Sequence, residues 1–215
     1  MVEPHDARMP VRRRRSDARR SIDAILEAAR VVLSERPDAS MEDVAASAGL
    51  TRQTVYAHFA SRDALVVALV EAAAAEYASL LDGTGMDDRP ATEALTAFLD
   101  AGWRLLDRYP LLLNPAARLP RPDEDPHDVV PPRLERVIRR GQNRGDLDAS
   151  LPADWLAAAV LGLHHAAAAQ ITSGRMDARE AADLCLASVL RVCGARTESK
   201  LSPMDGIRLP SRSGF

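Results

Sequence analysis

Aromatic residues are scarce: Trp, Tyr and Phe make up 4% of the 215 residues. Strands favour β-branched and aromatic side chains, so this scarcity, beside abundant Ala, points to helices rather than a β-sandwich. Lysine is nearly missing. Lys200 stands alone among 28 basic residues, a bias attributable to a GC-rich genome. Cysteine is limited to Cys185 and Cys193. At a rise of ~1.5 Å per residue, two positions eight apart on one helix stand ~12 Å apart and cannot bridge. No disulfide framework or zinc spacing exists, and neither a metal nor a cofactor is expected. No apolar run reaches ~18 residues without a charge or His, so no membrane span is expected. The N-terminus lacks an apolar signal core, and a cytoplasmic location is expected.

Charge of one sign is also lacking overall. The net charge of −3 does not advertise a nucleic-acid partner, but its distribution is uneven. Residues 1–20 carry seven arginines (8, 12, 13, 14, 15, 19 and 20) against Glu3, Asp6 and Asp17, a formal excess of four positive charges. Such a stretch fits either a solvated basic tail or an arm for a polyanion. Hydrophobic residues make up 47%, which excludes a chain disordered throughout.

Residues 1–15, with Pro4, Pro10 and no periodicity, read as a disordered arm. From about Asp17, Ile22, Ile25, Leu26, Ala29, Val32 and Leu33 form one apolar helical stripe, stopped by Pro37. Ser40 reads as an N-cap, answered three residues later by Asp43, with Met41, Val44, Ala45 and Ala48 along the face of a short helix. Gly49 supplies a tight turn and Thr51 caps a helix to about Phe59. Ser61 caps another to about Leu81. After a linker over 83–90, Leu95, Phe98, Leu99, Gly102, Leu105 and Leu106 mark a further helix, ended or bent at Tyr109-Pro110, and 111–117 suggests a short one. Residues 120–132 hold five prolines and four acids and read as a loop. Helices follow from about Pro132 to Asn143, Pro152 to Ser173, and Asp177 to Val192, with no periodicity in 196–215. The expected fold is all-α.

Two short helices joined at Gly49 after a longer one form a helix-turn-helix pattern, one that three ordinary core helices can also produce. Val44, Ala45, Leu50, Val55 and Phe59 point inward, leaving Arg52, Gln53, Tyr56 and Ala57 outward. Arg suits the O6 and N7 of guanine, Gln suits adenine, and Tyr offers a hydroxyl. Thr51 sits where backbone N–H groups favour a phosphate, and Arg62 approaches a backbone from the other side.

Residues 39–65 carry Val44-Ala45, Ala48-Gly49-Leu50-Thr51, Val55-Tyr56-Ala57-His58-Phe59 and Ser61-Arg62-Asp63-Ala64-Leu65. This stretch resembles the DNA-binding signature of the TetR family of regulators, the close likeness covering roughly residues 20–70. The resemblance implies a homodimer that places two recognition helices in successive major grooves of a palindromic operator. It also implies a C-terminal domain of five or six helices holding an effector pocket and the dimer interface. On that basis Thr51, Tyr56, His58 and Arg62 contact phosphates, Arg52, Gln53 and sometimes Tyr56 read bases, and Ser40 joins the DNA-binding set. Arg62 stands where Lys is usual, Leu33 where Phe is usual, and Arg36-Pro37 replaces a Gly; these departures concern packing and the helix stop. The basic arm is expected to follow the minor groove or backbone.

The expected organisation is an arm over 1–15, a helix-turn-helix domain over 16–65, an effector-binding and dimerisation domain over 66–195 and a flexible tail over 196–215. The helix over 152–173 is apolar nearly all round. With the last helix it suits a four-helix bundle across a two-fold axis, or else an intramolecular core. Phe98, Trp103, Leu106, Tyr109, Leu113 and His164 are the candidate pocket residues, fit for an apolar or aromatic effector, with ordinary core packing as the other reading. His164 and His165 point ~100° apart and do not readily share a metal, and Trp155 reads as a packing residue. No phosphate loop, His-Glu-x-x-His or Gly-x-Ser-x-Gly motif is present, so an enzyme is not expected. An all-helical enzyme or an interaction module is the alternative to a regulator, and within the regulator reading a repressor is favoured.

Overall fold

The computed structural model describes residues 11–113 and 130–195. Every regular element among them is helical: α1 (Val11–Glu35), α2 (Met41–Ala48), α3 (Arg52–His58), α4 (Arg62–Gly83), α5 (Ala91–Arg108), a 3-10 turn at Pro110–Leu113, α6 (Val130–Arg144), α7 (Ala153–Thr172) and α8 (Ala178–Val192). The expected tail over 196–215, the start of the arm and most of the proline-rich loop lie outside the described residues. The chain divides into two compact units between Leu69 and Val70.

The first unit is built on the stripe of α1. Ile25, Ala29, Val32 and Leu33 are buried, with Val44, Ala45, Val55, Leu65 and Leu69 completing the core. The expectation of an unstructured arm to residue 15 needs correction, because α1 already begins at Val11. Arginine is a good helix former, and a helix with a buried stripe extends readily into such residues.

The second unit holds the rest of α4 and α5 to α8. Helices α5 and α7 each pack on α6 and α8, and α7 and α8 pack on each other. Phe98, Leu99, Trp103, Leu134, Ile138, Leu156, Val160 and Val189 fill the interior. The Gln142 side-chain amide donates to the carbonyls of Asp148 (3.0 Å) and Leu151 (2.8 Å), tying the α6–α7 connection to the end of α6. The connection in turn meets the end of α8, where Asp148 N–H donates to Cys193 O at 3.0 Å. Arg140 of α6 donates to the carbonyls of Met86 and Arg89, anchoring the α4–α5 connection.

By length and composition α4 is apolar enough to cross a membrane, with a mean hydropathy of 1.7 over its best window. Yet it carries Glu71 and Glu76, and Leu65, Leu69, Ala73, Tyr77 and Leu81 are buried in protein. That is the pattern of a core helix. Cys185 and Cys193 are both buried free thiols, and burial pushes each up to about 11, which leaves them unreactive.

Gly141 of α6 lies against α5 and the following turn. A Cβ there would stand 2.5 Å from the Ala91 methyl and 2.8 Å from Leu147. Gly→Ala within a helix ordinarily stabilises by up to about 1 kcal/mol. Here overpacking dominates, and Gly141→Ala is expected to cost about 1–3 kcal/mol, read as a lower denaturant midpoint at fixed protein concentration.

Candidate nucleic-acid interface and interior polar pair

The interface is set by three caps in sequence. Ser40 Oγ accepts from Asp43 N–H (3.2 Å), while the Asp43 carboxylate accepts from Ser40 N–H (2.8 Å) and Ser40 Oγ–H (2.7 Å). The box is therefore fully reciprocal despite Asp in place of Glu. These bonds from Ser40, helped by Arg36, hold the Asp43 carboxyl below its usual range. Helix α2 ends on Gly49 at φ +66°, with Leu50 N–H donating to Ala45 O at 3.0 Å. A side chain at that φ would be strained, which is why glycine stands at this turn. Thr51 then caps α3 through Thr54 N–H at 3.2 Å, and Ser61 caps α4 through Ala64 N–H at 3.1 Å.

With Val55 and Phe59 buried below, α3 turns Arg52, Gln53, Tyr56 and Ala57 to solvent. The Arg52 guanidinium pairs with the Glu42 carboxylate of α2 and lies over the Tyr56 ring, 5.2 Å from its centroid. Thr51 is exposed at the start of this face and His58 is half-buried at its end. Besides Arg52 and Thr51, two more residues of the expected DNA-binding set have structural partners. Ser40 donates its hydroxyl proton to Asp43. Arg62 donates from Nε to Ala39 O (3.3 Å) and from Nη2 to Pro37 O, holding the α1–α2 turn to the start of α4. Sequence reasoning missed this clamp, and likewise Glu42, because spacing reveals neither a carbonyl acceptor 25 residues away nor a cross-helix ion pair.

The six candidate pocket residues separate into two groups. Phe98, Trp103, Tyr109 and His164 are buried, while Leu106 and Leu113 are half-buried. Five positions on a helix turn through ~140° beyond a full turn, and eleven return to nearly the same face. Phe98 and Tyr109 accordingly both meet α4: Phe98 lies tilted against Tyr77 with ring centroids 6.3 Å apart, and Tyr109 Oη donates to Glu76 at 2.8 Å. Burial and Glu76 push the Tyr109 phenol up to about 12, and Arg108 pairs with the same carboxylate at 3.0 Å. Trp103 points elsewhere, against His164 of α7, with ring centroids 4.4 Å apart. Gly102 permits that approach, for a Cβ there would lie 2.7 Å from His164 Nε2. Trp103 Nε1 and His164 Nε2 are buried without a hydrogen-bond partner. A surface depression of about 430 Å³ at the start of α8, lined by Asp177, Arg179, Glu180, Asp183 and Leu184, contains none of the six.

Trp155, read from sequence as a packing residue, is 63% exposed in the single chain. It opens an exposed row on α7 with Ala158, Gly162, Ala166 and Ala169, beside Leu184 and Val192 on α8. That row is apolar or small, with exposed His165 among it and exposed Asp183 and Arg191 flanking Leu184 and Val192 in sequence.

Residues 25–69 match the family described as bacterial regulatory proteins, tetR family. Residues 25–69 thus form a DNA-binding domain of the TetR-family type. Solved structures extend the fold likeness over most of its length. LfrR from Mycobacterium smegmatis, a TetR-like transcriptional regulator in complex with proflavine, is 22% identical with a TM-score of 0.61, over 84% of this chain and 99% of that one. SmeT in complex with triclosan is 18% identical with a TM-score of 0.65, over 90% and 99%. FadR from Bacillus subtilis in complex with stearoyl-CoA is 15% identical with a TM-score of 0.65, over 80% and 97%. A search of curated protein sequences returned no match.

Two outcomes follow from these contacts. Arg62→Ala is expected to destabilise the first unit by about 1–3 kcal/mol without any DNA present, with Arg62→Lys recovering part of it; thermal unfolding decides. Burial, aided by His165, lowers His164 from 6.5 to about 4. The unfolded chain then binds a proton between those values that the folded chain does not, so stability falls as pH drops from about 6.5 towards 4. The loss approaches roughly 3 kcal/mol, and His164→Phe should flatten that window in denaturation profiles.

Proposed function

We propose that this regulator works as a homodimeric repressor that binds a palindromic operator through α3 and leaves it when a small apolar or aromatic effector occupies the second unit. The observation that carries this reading is the Gly49 turn, which presents Arg52, Gln53 and Tyr56 together on an exposed face while the caps fix the helix beneath them. In this reading Arg52 and Gln53 contact base edges, and Thr51, Tyr56 and His58 contact phosphates. Ser40 and Arg62 support the DNA contacts mainly by holding α2 and the α1–α2 turn. The arginines of residues 1–15 add a non-specific electrostatic contribution.

Dimerisation is assigned to α7 and α8. An exposed apolar face of this kind is costly in water, and two copies related by a two-fold axis bury it against itself. The effector reading draws on the interior of the second unit and on the ligands held by proteins of the same fold, namely proflavine in LfrR, triclosan in SmeT and stearoyl-CoA in FadR. Release requires that the effector favour a conformer misspaced for the operator. Helix α4 suits this coupling because it carries Arg62 at one end and Glu76 and Tyr77 further along. The protein acts in the cytoplasm on its own gene's neighbourhood.

Footprinting on the DNA upstream of its own gene is the direct test. A protected palindrome is expected, with log Kd rising steeply with log salt as counterions are released. Arg52→Ala should weaken the operator by about 1–3 kcal/mol and relax one base position in each half-site. Indifference to every duplex from the locus, even at low salt, would sink the proposal. Sedimentation should give a dimer, and Leu184→Glu combined with Trp155→Glu should give a folded monomer.

A further inference from the structure

We infer that the effector is a neutral, largely apolar molecule bearing a hydroxyl group, received where Trp103 and His164 meet; this rests on the effector reading above.

The two side chains are 1% and 8% exposed, and Trp103 Nε1 and His164 Nε2 lack partners. Buried polar groups are nearly always hydrogen-bonded, so two orphans on touching rings call for a third group. The rings reach towards each other from α5 and α7, helices that otherwise pack on α6 and α8. With centroids 4.4 Å apart, the two rings that carry these nitrogens are in direct contact. Gly102 is the third component: only the missing Cβ lets the imidazole edge lie against α5.

The donor and acceptor chemistry narrows the occupant. An indole N–H can only donate, whereas the Nε2 of a neutral imidazole accepts or donates according to tautomer. A hydroxyl answers both, since its oxygen accepts from Trp103 while its proton goes to His164. Charge narrows it further. Among the described residues no Asp, Glu, Lys or Arg side chain is in the buried class, so a charged effector meets no buried counter-ion there. Arg140 has a buried Nε without a partner, but its Nη2 is engaged by the carbonyls of Met86 and Arg89 at the α4–α5 connection. A carboxylate effector would be drawn to Arg140 rather than to the ring pair.

Calorimetric titration of the full chain with 2-naphthol, naphthalene, 2-naphthoate and an acridine cation tests this. The expected order places 2-naphthol several-fold to about tenfold tighter than naphthalene, the gain from one well-made hydrogen-bonded pair, with both charged probes weakest. Trp103→Phe and His164→Phe should each bring 2-naphthol within about twofold of naphthalene without weakening naphthalene. Gly102→Ala, which displaces the imidazole but retains it, should do the same and covers the case in which a ring variant fails to fold. Equal binding of 2-naphthol and naphthalene, tightest binding of a charged probe, a preference unaffected by all three variants, or no binding of any probe would each overturn the assignment, the last leaving water as the partner of both nitrogens. Operator release is measured separately. If 2-naphthol binds through the ring pair yet never releases DNA, the effector reading fails while the site stands.

Discussion

The left-handed turn at Gly49 is the constraint on which the reading head depends. A φ of +66° reverses the chain directly after α2, and the caps on either side satisfy backbone donors at the starts of α2 and α3. Both helices are too short to persist alone in water. They exist because Val44 and Ala45 are buried in α2, which packs on α1, because Val55 is buried in α3, which packs on α2, and because Arg62 holds the preceding turn. The outer surface of α3 is thus positioned by buried apolar side chains and by a guanidinium clamp on the preceding turn.

Legibility in the sequence followed the range of each interaction. Caps act over three residues and apolar stripes over four, so Ser40, Thr51, Ser61 and the face of α1 could be read directly. The outward setting of Arg52, Gln53 and Tyr56 followed from the same periodicity. Longer-range contacts left no such trace. The partners of Arg62, Arg140 and Tyr109 lie more than twenty residues away in sequence, on carbonyls or a carboxylate that any position could supply. The start of α1 was misjudged because charge and lack of periodicity were taken to mean disorder, although arginine favours helix whether or not it is buried.

The candidate pocket shows a further limit. Grouping Phe98, Trp103 and Tyr109 by composition ignored the rotation between them, which sends Phe98 and Tyr109 to α4 and Trp103 to α7. One signal was available: Gly102, a poor helix former inside an apolar helix, marked a close approach of another element. That neighbour is His164 of α7, whose imidazole lies against the Gly102 gap and the Trp103 ring. The same helix keeps its outward row small, so α7 divides its circumference between an interior containing one polar ring and a surface suited to a second copy.

The ion pair between Glu42 and Arg52 bears on how such a protein would travel. A guanidinium resting on its own carboxylate is partly neutralised before any nucleic acid arrives, and the Tyr56 ring beneath restricts its sweep. If Arg52 contacts DNA as proposed, on random sequence it would gain little by exchanging one anion for another, leaving the grip there looser. A guanine edge offers a bidentate geometry that a lone phosphate oxygen does not. Under the proposed DNA reading, the pair would act as a brake on indiscriminate adhesion, trading dwell time on the wrong track for speed in reaching the right one.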